Sequence, residues 1–487
     1  MPDPTVPHPA FEPVREAGGI QEVRHRTNGL TVLLLPQAAA PVATFMVTYR
    51  VGSRNEKAGL TGATHLLEHL MFKGTERFNK DLGTSVFNVL QGVGAQVNAT
   101  TWYDRTNYYA LLPAEHLGLA VEIEADRMRG ARVSADDLRS ERTVVLNELD
   151  RGENEPLRKL LHTVWSAAYF AHPYGHPTIG WRSDVETVTA AGLRHFYDTY
   201  YWPANAVVSV IGQFDVEHAL GLIDEHFGPI PAGPERAAES DRYDEEPEPL
   251  IDPSEAEGEE APGGDSAAPD APHFPMAVTA EPPQQGERRV VVRQSGQLGA
   301  VLCAWKAPAG LTPEADALDV LSTALTSGKS SRLYRRLTDA GLTTNTFAFF
   351  PRLRDPGLFM VYGALAPDAT HEAVEAELRA VLAEIAESGL TDAELVRARR
   401  QVVAQEAFGR DGPFAIAAQL NEAIAVGDWT LYADYSDRIA AVTTEQVRAV
   451  AQATLDDDRL TVGHYVPVLP EPAEAPALSS TEPALAA

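Results

Sequence analysis

Two histidines and a glutamate in the segment THLLEHLMFKG, residues 64–74, have the types and spacing of a metal site with its own general base. If the segment is a helix, His65 and His69 are four residues apart, so their imidazoles lie on one face about one turn apart. Glu68 projects to the same face, where it can reach a water molecule beside the ion. This order, His-x-x-Glu-His, is the inverted form of a zinc-protease helix motif. The alternative is a core helix that holds three polar residues by chance, and the pattern alone does not decide between them.

A catalytic zinc ion needs a third protein ligand, because it keeps three of them and leaves one position for water. The only cysteine, Cys303, lies in the apolar run AVLCAW and is expected to be a buried core residue, so the third ligand should be His, Asp or Glu. The segment ERTVVLNELDRGENEP predicts a helix with Glu141 and Glu148 two turns apart on one face. One could bind the ion while the other holds the second nitrogen of a histidine ligand. From the residues alone, it is equally expected that these glutamates have no role at a metal site.

Two segments, roughly 18–232 and 285–468, are predicted to be folded blocks and divergent copies of one another. Near the end of each block a short helix capped by threonine is followed by a break and a strand, in VETVTAAGLRHFYDTYYWPANAVVSVIGQF from Val185 and IAAVTTEQVRAVAQATLDDDRLTVGHYV from Ile439. Each block also begins with two successive strands and then a helix. Strands mixed with helices in irregular order predict the α+β class, with an antiparallel sheet packed with helices in each half.

The segment between the blocks, 233–284, is acidic and rich in proline, and it is predicted to be a disordered linker because it has little apolar surface to bury. Residues 235–270 hold 14 acidic and 2 basic residues, so −12 of the net charge of −29 lies there. Solubility is the simplest role for such a run, and attraction of basic peptides is the alternative. Residues 1–17 are predicted to be an N-terminal extension and 469–487 a disordered tail.

Charge and hydropathy exclude two kinds of partner. A net charge of −29 argues against nucleic acid, whose phosphates require basic patches. The sequence has no run of about 18 uncharged apolar residues, which a membrane-spanning helix needs. The N-terminus lacks a basic start followed by an apolar stretch, so no secretory signal is expected and a cytoplasmic location is predicted.

Three motifs follow one another in the chain: HLLEHLMFKGT, GAQVNATTWYDRTNYYALLP and ERTVVLNEL. In their order and spacing they closely resemble the pitrilysin-type (M16) metallopeptidases, in the branch that contains mitochondrial processing peptidase β subunits and small bacterial relatives. The resemblance extends over both blocks. It implies a fold of two homologous α+β halves that close as a clamshell around a chamber, which agrees with the duplication.

The resemblance also implies a role for each candidate residue. His65, His69 and Glu148 would bind one Zn²⁺ per chain, and Glu68 would be the general base. Glu141 would be the family's second acidic residue, which supports the site.

The stretch QVNATT, Gln96–Thr101, resembles the strand at the sheet edge to which members of the family bind their substrate. The resemblance implies that Asn98 and Ala99 contact the backbone of the bound peptide. A peptide that adds a strand to this edge must be unstructured, because a folded protein has few free strand edges.

One departure from the family concerns the second block. Complete active sites in the family also use an arginine and a tyrosine from that half, but the corresponding stretch here, LTDAGLTTNTF from Leu337, has Thr338 and Thr344 at those places. Some bacterial members divide the site between two subunits. The resemblance therefore predicts a heterodimer with a paralogous subunit that carries the Arg/Tyr pair, with a homodimer as the alternative.

Together these observations predict a zinc-dependent endopeptidase that cleaves unstructured peptides inside the chamber, as the metal-bearing subunit of a heterodimer. The alternative is a non-catalytic peptide-binding or scaffold subunit of the same fold. Retention of the histidines and the two glutamates that could bind metal and move a proton favours the enzyme.

Overall fold

A computed structural model describes residues 8–234 and 274–468, which form two β-sheets covered by helices. The strands are β1 (Phe11–Ala17), β2 (Ile20–His25), β3 (Thr31–Pro36), β4 (Val42–Tyr49), β5 (Gln96–Thr101), β6 (Thr106–Pro113), β7 (Ala206–Gly212), β8 (Arg288–Ser295), β9 (Ala300–Lys306), β10 (Thr343–Phe349), β11 (Leu358–Leu365) and β12 (Leu460–Val468). The α-helices are α1 (Ala63–Leu70), α2 (Val86–Gly92), α3 (Leu117–Gly130), α4 (Ala135–Glu153), α5 (Pro156–Ala168), α6 (Arg182–Thr187), α7 (Ala190–Tyr200), α8 (Val216–Phe227), α9 (Pro313–Thr326), α10 (His371–Ser388), α11 (Asp392–Phe408), α12 (Pro413–Val426), α13 (Thr430–Ala441) and α14 (Thr444–Thr454).

The two sheets repeat one strand order. The first sheet runs β1-β2-β3-β7-β4-β6-β5, and the second runs β8-β12-β9-β11-β10. Apart from the additional pair β1 and β2, each strand of the first sheet has a counterpart in the second. Both sheets contain one parallel pair, β3 with β7 and β8 with β12, among antiparallel neighbours. The predicted fold of two homologous α+β halves is confirmed.

The last strand of each half lies in the interior of its sheet. The two strands that begin each half, β3 with β4 and β8 with β9, are consecutive in the chain but are separated in the sheet by β7 and by β12. Thr189 caps the helix before β7, and Thr443 caps the helix before β12, each accepting a backbone N–H through its side chain. These threonine caps therefore start the matching helices that bring the last strands back into the sheets.

Each half contributes one helix that packs on the sheet of the other half. Helix α5 packs on the second sheet, where its Leu160 and Val164 are buried in one cluster with Leu302 of β9. Helix α12 packs on the first sheet, where Leu420 is buried in one cluster with Met46 of β4. Because each sheet needs the other half's helix to cover one face, the halves are packed as one unit.

Two predicted boundaries differ from the structure. Strand β1 begins at Phe11, inside the predicted extension 1–17, because this segment pairs with β2. Residues 274–284, the end of the predicted disordered linker 233–284, form an extended strap on the folded halves. Tyr200 donates a hydrogen bond to the carbonyl of Pro275 (3.0 Å), and the carboxylate of Glu281 accepts backbone N–H groups from residues 170–172 (2.7–3.0 Å). These contacts offset the ordering entropy despite the proline-rich composition.

The remaining linker, 235–273, and the predicted tail, 469–487, lie outside the described residues. Cys303 is a buried free thiol in β9, as expected. Within residues 8–234 and 274–468, no helix has both the length and the apolar character needed to cross a membrane.

Candidate active site

Helix α1 presents one apolar face and one polar face. Leu66, Leu67 and Leu70 are buried in the core of the first half, which leaves His65, Glu68 and His69 on the opposite side. The helix begins after Gly62, which has a positive φ of 83° and whose added Cβ would lie 2.5 Å from the carbonyl oxygen of Ile179. This close approach requires glycine.

A buried carboxylate takes the place of a side-chain cap at the start of α1. Glu56 accepts the backbone N–H groups of Gly62 (2.8 Å) and Thr64 (2.7 Å). The two oxygens of this carboxyl group satisfy two orphan donors at the start of the helix, while burial raises the pKa of Glu56 to about 8. These two hydrogen bonds fix the first turn of α1 and therefore the position of His65, which follows Thr64.

Helix α4 brings a third possible metal ligand to the polar face of α1. The Nε2 atoms of His65 and His69 lie 3.7 and 4.0 Å from the same oxygen, Oε2 of Glu148. One ligand atom from each residue lies within 4.8 Å of the other two. These distances exceed those of hydrogen bonds, so the three side chains face a common point without bonding one another.

The protonation of His65 fits a metal ligand. Burial, together with the neighbouring His69 and Arg158, lowers the pKa of His65 to about 3. The imidazole is therefore neutral at pH 7 and offers a lone pair, as zinc requires. Two imidazoles and one carboxylate form a donor set found in catalytic zinc sites.

Glu141 stands behind His69 rather than at the common point. Its Oε2 lies 3.0 Å from Nδ1 of His69, and its Oε1 forms an ion pair with Lys73. Burial alone would raise the pKa of Glu141, but the hydrogen bonds from Lys73 and His69 outweigh it and lower the pKa. An ionised Glu141 favours the tautomer of His69 with the proton on Nδ1, which leaves Nε2 free to bind metal.

Glu68 lies on the same face of α1 and is held by strand β5. The hydroxyl of Thr101 donates a hydrogen bond to Oε2 of Glu68 (2.5 Å). Burial raises the pKa of Glu68, while the bond from Thr101 and the nearby His69 oppose that rise. A carboxylate whose pKa moves upward toward neutrality is suited to accept and return a proton.

Strand β5 forms the edge of the first sheet and pairs with β6 on one side. Its side chains alternate: Ala99 and Thr101 face α1, whereas Asn98 and Thr100 are exposed on the other face. Asn98 can thus meet a ligand through its side chain, because its backbone groups face Tyr109 of β6. The side chain of Ala99 is buried, so only its backbone is available.

The two threonines of the second half lie near the start of β10 and carry no charge. The hydroxyl of Thr338 bonds that of Thr343 (3.1 Å), and the hydroxyl of Thr344 lies 3.4 Å from the carbonyl oxygen of Ala364. The neighbouring Arg336 forms ion pairs with Glu377 and Glu384. None of these groups provides an arginine–tyrosine pair.

Sequence reasoning missed two contacts at the site. Lys73, which neutralises Glu141, is four residues after His69, and that spacing was a usable signal. The bond from Thr101 to Glu68 joins two segments that are distant in the chain, and only the tertiary structure reveals it.

Two family models match this chain. "Insulinase (Peptidase family M16)" matches residues 31–181, and "Peptidase M16 inactive domain" matches residues 187–402. The first covers the candidate site, and the second covers much of the half in which Thr338 and Thr344 lie.

Individual proteins are similar over most of the chain. Zinc protease PqqE of Helicobacter pylori is 30% identical over 373 residues, which are 76% of this chain and 75% of the relative. An uncharacterized zinc protease of Streptomyces coelicolor is 29% identical over 442 residues, 90% of this chain and 88% of the relative. The crystal structure of a protease from Helicobacter pylori superposes with a TM-score of 0.80 at 26% identity, covering 93% of this chain and all of that one.

Proposed function

This chain is a member of the M16 peptidase family, and we propose that it is a zinc-dependent endopeptidase that cleaves unstructured peptides. The observation that carries the proposal is the convergence of His65, His69 and Glu148 on one point beside the half-buried Glu68. Relatives named zinc proteases support the choice of metal.

His65, His69 and Glu148 would hold one Zn²⁺, with Glu141 orienting His69. A zinc ion bound there supplies Lewis acidity and lowers the pKa of water. Glu68 takes the proton of the attacking water and later delivers it to the leaving amine. Since Thr101 donates to Oε2, the proton moves through Oε1, and the bond to Thr101 fixes the direction in which that oxygen points.

The peptide binds by adding a strand to β5. The outer edge of β5 supplies the backbone N–H and C=O groups of Ala99, while Asn98 offers its side chain, and both lie close to Glu68 through the neighbouring Thr101. Folded proteins seldom present a free strand, so the substrates are unstructured peptides or flexible termini.

Thr338 and Thr344, which stand where the family's arginine and tyrosine would lie, supply neither a charged nor a phenolic donor for an oxyanion. Loss of one such donor typically costs about 10²–10³ in rate. The proposal therefore includes a paralogous M16 subunit that carries an arginine and a tyrosine, with a second copy of this chain as the alternative partner. The threonines at positions 338 and 344, whose hydroxyls bond Thr343 and approach Ala364, support this part of the proposal.

The test measures zinc content and hydrolysis of a quenched fluorescent peptide by the purified chain, alone and mixed with a paralogous M16 subunit. Glu68→Gln should retain zinc and lose cleavage by about 10²–10⁴-fold, whereas Glu115→Gln, on an exposed side chain, should change neither. Cleavage that survives Glu68→Gln would overturn the catalytic assignment. Zinc binding without cleavage in any mixture would favour the scaffold alternative, and full activity of the chain alone would remove the need for a partner.

A further inference from the structure

A cavity of about 250 Å³ lies beside the candidate metal site, between the end of α4, helix α5 and the segment 177–182. We call it the Arg158 cavity, after the residue of α5 whose guanidinium lines it. The guanidinium lies against Gly152 of α4, where an added Cβ would stand 2.9 Å from its Cζ, Nε and Nη1 atoms. The side chain of Arg158 remains 36% exposed, so its N–H donors can meet a ligand.

Glu148 connects the Arg158 cavity to the candidate metal site. Its Oε2 faces His65 and His69, whereas its Oε1 lies 4.0 Å from Nη2 of Arg158. This separation is longer than a hydrogen bond, and no other carboxylate oxygen of the described residues lies as close to Arg158. A guanidinium with free donors therefore lies one side chain away from the point where the three candidate ligands meet.

The charges that line the cavity leave Arg158 unpaired. The lining contains three cations and one carboxylate, which are Arg158, Lys159, Arg182 and Glu153. Glu153 pairs with Lys159 (3.1 Å), and Arg182 forms an ion pair with Asp150. Among the described residues, Arg158 is thus the lining cation with no carboxylate at hydrogen-bond distance. In a chain of net charge −29, the cavity offers a positive charge to an anionic ligand.

A peptide bound along β5 can bring a side chain to this cavity. In a strand paired with β5, alternate side chains share the face of Ala99 and Thr101, which is the face of α1. Those nearest Glu68 point toward the place where the candidate ligands meet, and Arg158 lies 4.0 Å beyond Glu148. Since a strand advances about 3.3 Å per residue, the residue whose side chain reaches Arg158 lies within about two positions of the bond to be cleaved.

We propose that Arg158 selects substrates, by binding a carboxylate of the peptide within about two residues of the bond to be cleaved. A peptide offers this group on an Asp or Glu side chain and at its C-terminus, and a guanidinium can bind either through two parallel N–H···O bonds. The proposal rests on the proposed peptidase function and adds the substrate class: peptides with an acidic group near the cleaved bond. Arg158 is a specificity-determining residue in this scheme, since it contacts the selected group without touching the reacting atoms.

The test uses unstructured, amidated peptides with Glu or Gln placed in turn at each of the two positions on either side of the cleaved bond, and it compares kcat/KM. At one of these positions the Glu peptide should be preferred by at least about 10-fold, the usual range for a hydrogen bond to a charged group. Arg158→Gln should reduce the preference to less than about 3-fold, and Arg158→Glu should transfer it to the matching Lys peptide. Arg139→Glu is the matched control, because Arg139 is exposed on α4 and does not line this cavity.

A second pair of peptides tests the other source of the carboxylate. These peptides have no acidic side chain and end two residues after the cleaved bond, with a free or an amidated C-terminus. A preference of the same size for the free C-terminus, lost in Arg158→Gln, would assign Arg158 to the end of the peptide. A preference for the Glu peptides alone would assign it to a side chain.

Gly152→Ala tests the position of the guanidinium without removing its charge. The added methyl group must displace Arg158, so the preference should fall here as well. Alanine is favoured over glycine inside a helix, so α4 should stay folded. Normal zinc content and an unchanged melting temperature show that each variant is intact.

Peptide affinity of the Glu68→Gln protein separates failure of this site from failure of the enzyme assignment. Tighter binding of the acidic peptide, weakened by salt and lost in Arg158→Gln, would support the site even if the protein cleaves nothing. Equal kcat/KM for acidic and neutral peptides, or a preference that Arg158→Gln retains, would overturn the site while leaving the peptidase intact. An equal loss of rate for every peptide in Arg158→Gln would also overturn it, because Arg158 would then only support Glu148.

Discussion

The two halves have the same strand order but use the corresponding helices differently. In the first half, α1 follows β4 and presents two histidines and a glutamate. In the second, α9 follows β9 and contains no histidine. Its Asp316 and Asp319 form ion pairs with Arg352, so their charges stabilise the fold.

Helices α4 and α11 can be aligned by their caps. Ser134 caps α4 and Thr391 caps α11, each accepting the N–H of the residue three positions later. At equal distances from these caps, Glu141 corresponds to Ala398 and Glu148 to Gln405. One backbone arrangement therefore exists with and without the candidate ligands, so the fold does not require them. Their presence in the first half points to chemistry there.

The largest effect on zinc affinity is expected at Glu148, the candidate ligand whose counterpart in α11 is Gln405. Glu148→Gln should weaken zinc binding by at least about 100-fold, because even partners that touch only a ligand contribute about 10–100-fold in affinity. Competition with a chelator measures the affinity. Gln405→Glu, the reverse change at the equivalent exposed position of α11, should leave the zinc affinity unchanged. An equal effect of both variants would contradict the assignment of the ion to the first half.

Glu141→Gln should have a smaller effect on the same affinity, about 10–100-fold, because it weakens only the orientation of His69. The side chain keeps its size, and the ion pair with Lys73 is lost. Glu394→Gln, which changes a mostly buried carboxylate of α11, is the control and should leave zinc binding unaltered. If Glu141→Gln weakened binding as much as Glu148→Gln, Glu141 would have to be counted among the ligands.

The exchanged helices allow a comparison of packing. Gly463 of β12 and Ser209 of β7 occupy equivalent places, opposite Leu302 and Met46 in the neighbouring strands. A Cβ at position 463 would lie 2.2 Å from a methyl group of Val164 on α5.

Gly463→Ala should therefore lower the free energy of unfolding by about 1–3 kcal/mol, the usual cost of overpacking. Ser209→Ala adds no atoms and removes a buried hydroxyl that has no hydrogen-bond partner among the described groups, so it should be neutral or slightly stabilising. Urea denaturation measures both. No loss of stability in Gly463→Ala would mean that α5 can move away from β12 and leave room for a methyl group.

Parts of this architecture follow from local sequence signals. The threonine caps at 189 and 443 and the strands after them are short-range features, and they revealed the duplication. The insertion of β7 between β3 and β4 and the exchange of α5 and α12 depend on contacts between distant segments. An amphipathic helix such as α5 has the same pattern whichever sheet it covers.

In the candidate site, too, some features follow from local sequence signals and others depend on contacts between distant segments. The spacing of His65, Glu68 and His69 indicates a common face because one helix carries all three. Which of Glu141 and Glu148 faces His65 and His69 could not be derived from their spacing, since both lie on one face of α4. The contacts of Glu141 with His69 and Lys73 distinguish them. The cavity lined by Trp102, Phe350 and Val426 has no sequence signal, because its walls come from segments hundreds of residues apart.

The smallest expected effect is on folding stability and concerns Glu394, three residues after Thr391, the cap of α11. Bidentate hydrogen bonds from Arg332 (2.8 Å each) hold the pKa of Glu394 at about 2, below its usual value of about 4.5. Because the folded pKa is depressed, the stabilisation is fully present above about pH 4.5 and is lost as the pH falls from there through 2. Glu394→Gln keeps the capping box and removes the charge, so it should cost about 1 kcal/mol or less at pH 7.

Urea denaturation at pH 7, 5 and 3.5 should show the difference between the wild-type chain and Glu394→Gln shrinking only at the lowest pH. Asp137, at the equivalent place in α4, bonds Ser134 and forms no ion pair with an arginine within the described part of the chain. Asp137→Asn should change stability by less than about 0.5 kcal/mol at all three values. A difference for Glu394→Gln that stays constant down to pH 3.5 would show that Arg332 does not stabilise the charged form, and the second half would then lose its clearest example of an acidic side chain used for folding.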